Sequence, residues 1–257
     1  MATLNENTTG LNEILALVNA LPEAGSGGGG GGGDDVAAAI IDRSITEISN
    51  SSVTTVGANA FYYCLSLTAA DFPAVTDVRN SAFYNCSNLT TVSFPKATSL
   101  SSGAFMYCER LVAANFPAVT TINSNAFYGC YSLASVSFPV ATIIRTGAFT
   151  QCTDLTSVEF PIMEYIGEQA FRGCSSLTVA VFPRASNIVN SAFRSCTALA
   201  SLYLMGSSLC KLSNSNAFSG AGITSSTGAI YVPASLLASY QAATNWTYFS
   251  TRFVAGD

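Results

Sequence analysis

The chain has 257 residues, 49% of them apolar and 10% charged, which is ample material for a buried core and excludes disorder over most of its length. Its 10 basic residues stand singly against 15 acidic ones, so there is no basic stripe for nucleic acid, and no apolar run approaches the roughly 20 residues that cross a bilayer. Histidine is absent, which removes the commonest general base, the usual zinc ligand and every Ser–His or Cys–His nucleophile pair.

The first residues carry neither positive charge nor an apolar stretch of signal-peptide length, so a conventional secretory signal is not expected. Leu11, Ile14, Leu15 and Val18 fall at i, i+3, i+4 and i+7, which predicts an amphipathic helix within residues 1–24, stopped near Pro22. The glycines Gly27 to Gly33 lack the Lys-Ser/Thr end of a phosphate loop and read as a flexible linker over residues 25–35. Held on that linker, the helix offers self-association through residues 11–21; packing on the N-terminal cap is the alternative. Residues 36–57 read as a weakened first coil, because Ile45, Val53 and Val56 stand 22 residues ahead of Leu67, Val75 and Val78, with Asn50-Ser51 where later units place Phe-Pro.

From residue 58 to 205 the sequence repeats seven times with a step of 22. Phe61, Phe83, Phe105, Phe127, Phe149, Phe171 and Phe193 each follow an alanine. Cys64, Cys86, Cys108, Cys130, Cys152, Cys174 and Cys196 keep the same step, with a leucine three residues behind each, from Leu67 to Leu199. A Phe-Pro pair closes six of the seven units, from Phe72-Pro73 to Phe182-Pro183, and Leu204-Met205 replaces it in the last. Within a unit, Val92, Ser93 and Phe94 alternate as in a half-buried strand, whereas Phe83 and Cys86 at i and i+3 read as one helical turn. One strand and one turn cannot bury their own apolar face, so neighbouring coils must stack. The predicted fold is α/β, a right-handed solenoid with a parallel β-sheet and short helical turns, capped at both ends. Proline, lacking an amide donor, marks the end of each strand.

Residues 206–257 hold a degenerate unit, whose Ala217-Phe218 arrives three residues late, and a C-terminal cap. Pro233 in "IYVP" repeats the strand-ending proline, and "ASLLASYQAATNW" breaks the period with a helix-like pattern. End coils need such covers because they otherwise expose core and unpaired strand edge.

The signature L-x-x-[VL]-x-[FL]-P followed by A-F-x-x-C resembles the BspA-like leucine-rich repeats of bacterial surface proteins, over roughly residues 40–233. The resemblance implies a leucine-rich-repeat solenoid that acts in surface adhesion or ligand binding, with no catalytic residues to carry over. It also implies an extracellular or cell-surface setting. Some members without export signals resemble prophage-encoded proteins, so a structural or assembly role in a phage particle or surface complex is the alternative function, and the phage particle or the cytoplasm the alternative setting.

The cysteine column has three readings. Zinc requires thiolates converging from short spacings, yet the tightest pair here is Cys196 and Cys210. Coil-to-coil disulfides lie within reach in distance, but equivalent side chains on parallel coils point the same way, which makes the required dihedral awkward. The remaining reading, a ladder of reduced, buried thiols filling space beside the phenylalanines, is the one expected.

Positions that vary between units face outward and are the candidates for function. One column runs along the strand: Asp71, Ser93, Asn115, Ser137, Glu159, Val181 and Tyr203. A second set lies on the turn, where Tyr62, Tyr63, Tyr84, Tyr107, Tyr128 and Tyr131 give way to Arg172 and Arg194. Tyrosine offers large contact area at low entropic cost, so this patch predicts binding of a protein or a glycan; a lid of rings over the core is the bland alternative. Asp71 and Glu159 share a column but stand four coils apart, about 19 Å at a coil spacing of about 4.8 Å. Glycosidase pairs need about 5–9.5 Å, so the chain is not expected to be an enzyme. No metal, cofactor, nucleic-acid or membrane-inserted site is expected.

Overall fold

A computed structural model describes residues 2–4 and 45–256. The apolar pattern from Leu11 to Val18, the glycine run and the proposed self-association through residues 11–21 lie outside the described residues. Ahead of them, Ala2–Leu4 forms strand β1, which pairs in parallel with β2, Ile45–Ser49.

Each repeat contributes two short strands, and each strand pairs in parallel with an equivalent strand one coil away. The first series comprises Ala69–Asp71, Thr91–Ser93, Ala113–Asn115, Ser135–Ser137, Ser157–Glu159, Val179–Val181 and Ser201–Tyr203. The second runs from Thr55–Val56 to Lys211–Leu212 as one eight-stranded sheet. Partners occupy equivalent positions, as in Ala70 with Val92 and Val78 with Leu100, so an invariant repeat length fixes the register. The first series is interrupted between Thr91–Ser93 and Ala113–Asn115 and again between Ser135–Ser137 and Ser157–Glu159.

The prolines sit where the missing amide costs nothing. Val75 N–H donates to Phe72 O at 3.1 Å, closing a β-turn with Pro73 in its second position, where the fixed φ is favourable. The Ala-Phe-x-x-Cys segment forms the remaining side of the coil. Tyr62 N–H donates to Asn59 O at 3.0 Å and Cys64 N–H to Phe61 O at 3.2 Å, the i to i−3 bonds of a single turn. The intervening amides of Asn59, Phe61 and Tyr63 instead donate to Asn80, Ala82 and Tyr84 of the next coil, at 3.0, 2.7 and 2.8 Å. Left-handed residues before the alanine and before the cysteine, φ 56° at Asn59 and 58° at Tyr63, stop the turn from propagating as a helix.

The interior is two nested columns of phenylalanine. Phe61 through Phe193 and then Phe218 stack with ring centroids 4.9–5.5 Å apart and planes within 13°. Phe72 through Phe182 form the second stack, at 5.5–6.3 Å. Tilted and edge contacts such as Phe83–Phe94 at 5.7 Å lock one column into the other. At the N-terminal end Asn50 occupies the position of the Phe-Pro phenylalanine. It is 1% exposed, and its Oδ1 accepts hydrogen bonds from Ser52 N, Ser52 Oγ and Val53 N, all at 2.9 Å, a polar stop to the stack.

The C-terminal cover contains helix α1, Leu237–Ala242, where the broken period placed it. Tyr240 Oη accepts from Cys210 N–H at 2.9 Å, and Trp246 Nε1 donates to Cys210 O at 2.7 Å, so two buried aromatics tie down the late-arriving coil. Pro233 ends strand Ala229–Pro233 as expected. That strand then pairs with a further one, Phe253–Gly256, which the sequence pattern did not reveal.

All eight cysteines are buried, reduced thiols. The filler reading omits a role the structure supplies. Each Sγ from Cys86 to Cys196 donates to the phenylalanine carbonyl of the preceding coil, for example Cys86 to Phe61 O at 3.0 Å and Cys130 to Phe105 O at 3.1 Å. Phe61 O thus accepts both from its own turn and from the next coil's thiol.

Two predictions follow from this packing. Phe127→Ala leaves a cavity inside a continuous stack and costs about 3–5 kcal/mol, whereas Cys130→Ala loses a small side chain and one weak hydrogen bond, about 1–2 kcal/mol. Equal costs in a urea titration would contradict this hierarchy. The second concerns pH. Burial pushes the thiols of Cys86, Cys108, Cys130, Cys152 and Cys174 well above their ordinary 9.0, and that of Cys210 up to about 12. The unfolded chain therefore releases these protons first. Stability is full below pH 9 and falls above it, by about 1.4 kcal/mol per pH unit for each such thiol. Urea midpoints measured across this range should drop steeply above pH 9, less so for Cys130→Ala; a flat profile would show the thiols to be solvated.

Candidate functional site on the tyrosine-bearing turns

Because the turn amides bond coil to coil, the residues they carry are held in strict columns. Tyr62 stacks on Tyr84 with centroids 4.8 Å apart and planes 11° from parallel, and Tyr63 tilts against both, at 4.8 and 5.7 Å. The chain of rings continues through perpendicular contacts, Tyr84–Tyr107 at 5.7 Å and Tyr107–Tyr128 at 5.4 Å. Tyr131, 37% exposed, stands beside this end, and Leu65, 46% exposed, holds the equivalent position after Cys64. The structure therefore brings five of the six tyrosines singled out by sequence into one chain of ring contacts, with Tyr131 near Tyr107 at its end.

Two phenols of the strip are pushed away from ionisation. Partial desolvation, and then the neighbouring phenols Tyr62 and Tyr63, raise the pKa of Tyr84. Desolvation and the neighbours Tyr128, Tyr84 and Tyr131, with a hydroxyl hydrogen bond to Tyr128, do the same for Tyr107.

The residue before each of the seven repeat cysteines adopts positive φ, and the chain fills this position with Tyr63, Asn85, Tyr107, Gly129, Gln151, Gly173 and Ser195. Gly129 and Gly173 sit there at φ 71° and 74°, without strain, and Gly220, at φ 70°, holds the equivalent place before Ala221 in the degenerate unit. Tyr63 and Tyr107 hold it at 58° and 61°, a conformation that costs a side-chain-bearing residue about 1–2 kcal/mol. Gly129 also makes room for its neighbour, since a Cβ there would lie 2.6 Å from Tyr107 Cδ1. Sequence reasoning picked out the tyrosines but not this glycine, whose only signal was its place in the repeat.

Arg172 and Arg194 occupy the column of Tyr62, Tyr84, Met106, Tyr128 and Thr150. The bonds Gly129 N–H to Thr150 O, Gln151 N–H to Arg172 O and Gly173 N–H to Arg194 O fix that register. Both arginines are exposed.

The strand column divides by chemistry. Asp71, Asn115 and Glu159 are exposed and separate, and Asp71 and Glu159 remain four coils apart. At its far end Tyr203 stacks on Tyr231 with centroids 4.4 Å apart, flanked in register by Val181 and by Val254, the last 41% exposed. Tyr231 was missed because its coil is out of phase with the repeat, although the alternation in "AIYVP" carried the signal. Among the described residues, no cluster of three or more potential metal ligands occurs, and no helix is long and apolar enough to cross a membrane.

A family model for the BspA type leucine-rich repeat region matches in six copies, over residues 43–134 and 120–232. Among solved structures, the chain is similar to a leucine-rich repeat protein of T. pallidum at 24% identity, covering 68% of this chain and 76% of that one with a TM-score of 0.48. It is similar to a leucine-rich cell surface protein of Faecalibacterium prausnitzii at 22% identity, covering 74% and 73% with a TM-score of 0.38. An internalin of Listeria monocytogenes is similar at 12% identity, covering 96% and 74% with a TM-score of 0.35. No curated protein matches the chain.

Gly129→Ala should destabilise the fold both by left-handed strain, about 1–2 kcal/mol, and by collision with the Tyr107 ring. In a Tyr107→Gly background only the strain remains, so the double-mutant cycle should show coupling of at least about 0.5 kcal/mol. Strict additivity would place the ring elsewhere.

Proposed function

Because this chain belongs to the BspA-type leucine-rich repeat family, we propose that it is a non-catalytic, adhesin-like scaffold that recognises a protein through the tyrosine-bearing turns of its first four repeats. Leucine-rich repeat proteins are typically binding scaffolds. The observation that carries the reading is the continuous run of ring contacts from Tyr62 to Tyr128, which includes Tyr63 and Tyr107 at a left-handed position that the other repeats fill with asparagine, glycine, glutamine or serine. A lid over the core accounts for the half-buried Tyr62 and Tyr84, yet it gives no reason for Tyr63 and Tyr131, each 37% exposed.

Ring orientation favours a protein over a glycan. A sugar ring packs on an aromatic face, and in Tyr62 and Tyr84 those faces are turned to one another, 4.8 Å apart. That stacked pair leaves ring edges and hydroxyls for a partner, suited to the mixed apolar and hydrogen-bonding surface of a polypeptide.

The test is to screen the full chain in parallel against a displayed library of random linear peptides and a printed glycan array. Peptide binders are expected. Tyr63→Asn with Tyr107→Asn should abolish their binding while leaving the unfolding midpoint unchanged or higher, since asparagine tolerates the left-handed region. Glycan binding that depends on these tyrosines, or peptide binding indifferent to them, contradicts the proposal.

A further inference from the structure

The turn column does not end with its aromatic part. Beyond Tyr128 it drops at Thr150, whose side chain is 3% exposed and whose Oγ1 donates to Gln169 O at 2.6 Å. It then rises again in Arg172 and Arg194, one coil apart. Neither guanidinium forms an ion pair with any described residue. Arg172 Nη1 donates to the neutral Gln169 Oε1 at 3.2 Å. The neighbouring carboxylate Glu168 is met by Asn190 Nδ2 at 3.5 Å, and Arg79, in contrast, is held by Asp77 at 3.1 Å.

A chain with net charge −5 thus presents, in one rigid column, an uncharged aromatic strip followed by two guanidiniums with no carboxylate of their own. At about 4.8 Å per coil, Arg172 and Arg194 lie about 10 and 14 Å beyond Tyr128. An extended polypeptide covers that distance in about three or four residues.

Resting on the reading of the tyrosines as a protein-binding strip, we propose that the partner is an extended polypeptide segment running along the turns. Its apolar or aromatic residues sit on Tyr84–Tyr128, and its carboxylate side chains, three or four residues further on, pair with Arg172 and Arg194. Guanidinium is suited to this task because its planar fork matches a carboxylate in two hydrogen bonds. The aromatic strip supplies contact area, and the arginines set the direction in which the segment lies and select for its charge.

The experiment uses the full chain with two probes, the random-peptide library and dextran sulfate as a polyanion without a peptide backbone. Selected peptides should carry Asp or Glu about three or four residues from an aromatic or large aliphatic residue. Arg172→Gln with Arg194→Gln should weaken them about 3- to 30-fold at moderate salt, the sum of two exposed ion pairs. The matching lysine substitutions should restore part of the affinity, and thermal melts should not move.

Peptides without acidic residues, or peptides equally bound by the double Gln variant but lost in the tyrosine variants, would overturn this inference while leaving the protein-binding reading intact. Arginine-dependent binding of dextran sulfate with no peptide selected would overturn both, as would binding of neither probe.

Discussion

Parallel backbone hydrogen bonding sets a coil-to-coil interval near 4.8 Å, and everything else in the molecule is arranged to tolerate that interval. Two columns of phenylalanine accept it with their rings stacked at 4.9–5.5 and 5.5–6.3 Å, the second wedged edgewise into the first. Cysteine accepts it by donating Sγ–H to the carbonyl one coil back, a bond that a methyl group in the same volume could not make. An invariant repeat length is the consequence, since a single inserted residue would move every inward side chain to the wrong face. The late arrival of Phe218 marks the place where the rule lapses, and there Tyr240 and Trp246 hold the displaced segment by the backbone of Cys210.

Much of this was legible in the sequence because repetition turns a weak pattern into a strong one. The seven-fold recurrence of Phe, Cys and Leu specified the core, and the proline column specified the strand ends. The donor role of the cysteines was not legible, because it depends on where a carbonyl of the neighbouring coil points. Nor was the final strand, Phe253–Gly256, whose four residues carry too little periodicity to stand out. For the candidate site, tyrosine density pointed to the turns on which the rings lie in contact. The left-handed backbone of Tyr63 and Tyr107, and the hollow at Gly129 that receives a ring, are conformational facts that no spacing reveals.

The same rigidity that makes the scaffold stable explains how it can present a surface. Side chains on the turns inherit the register of the amides beneath them, so Tyr62, Tyr84, Tyr128, Arg172 and Arg194 are fixed in a line without any contact between the aromatic and basic parts. Such a line costs little entropy to bind, because the backbone is ordered before the partner arrives. The strand face offers a contrasting surface, polar at Asp71, Asn115 and Glu159 and apolar around the stacked Tyr203 and Tyr231.

The central claim is that recognition occurs on the turns and not on the strand face. Amide hydrogen exchange of the chain, with and without a selected peptide bound, tests it directly. The account predicts added protection in segments 61–64, 83–86, 105–108 and 127–130, extending to 171–173 and 193–195. Protection confined to the strands that carry Asp71, Asn115, Glu159 and Tyr203, with the turns unchanged, would contradict it.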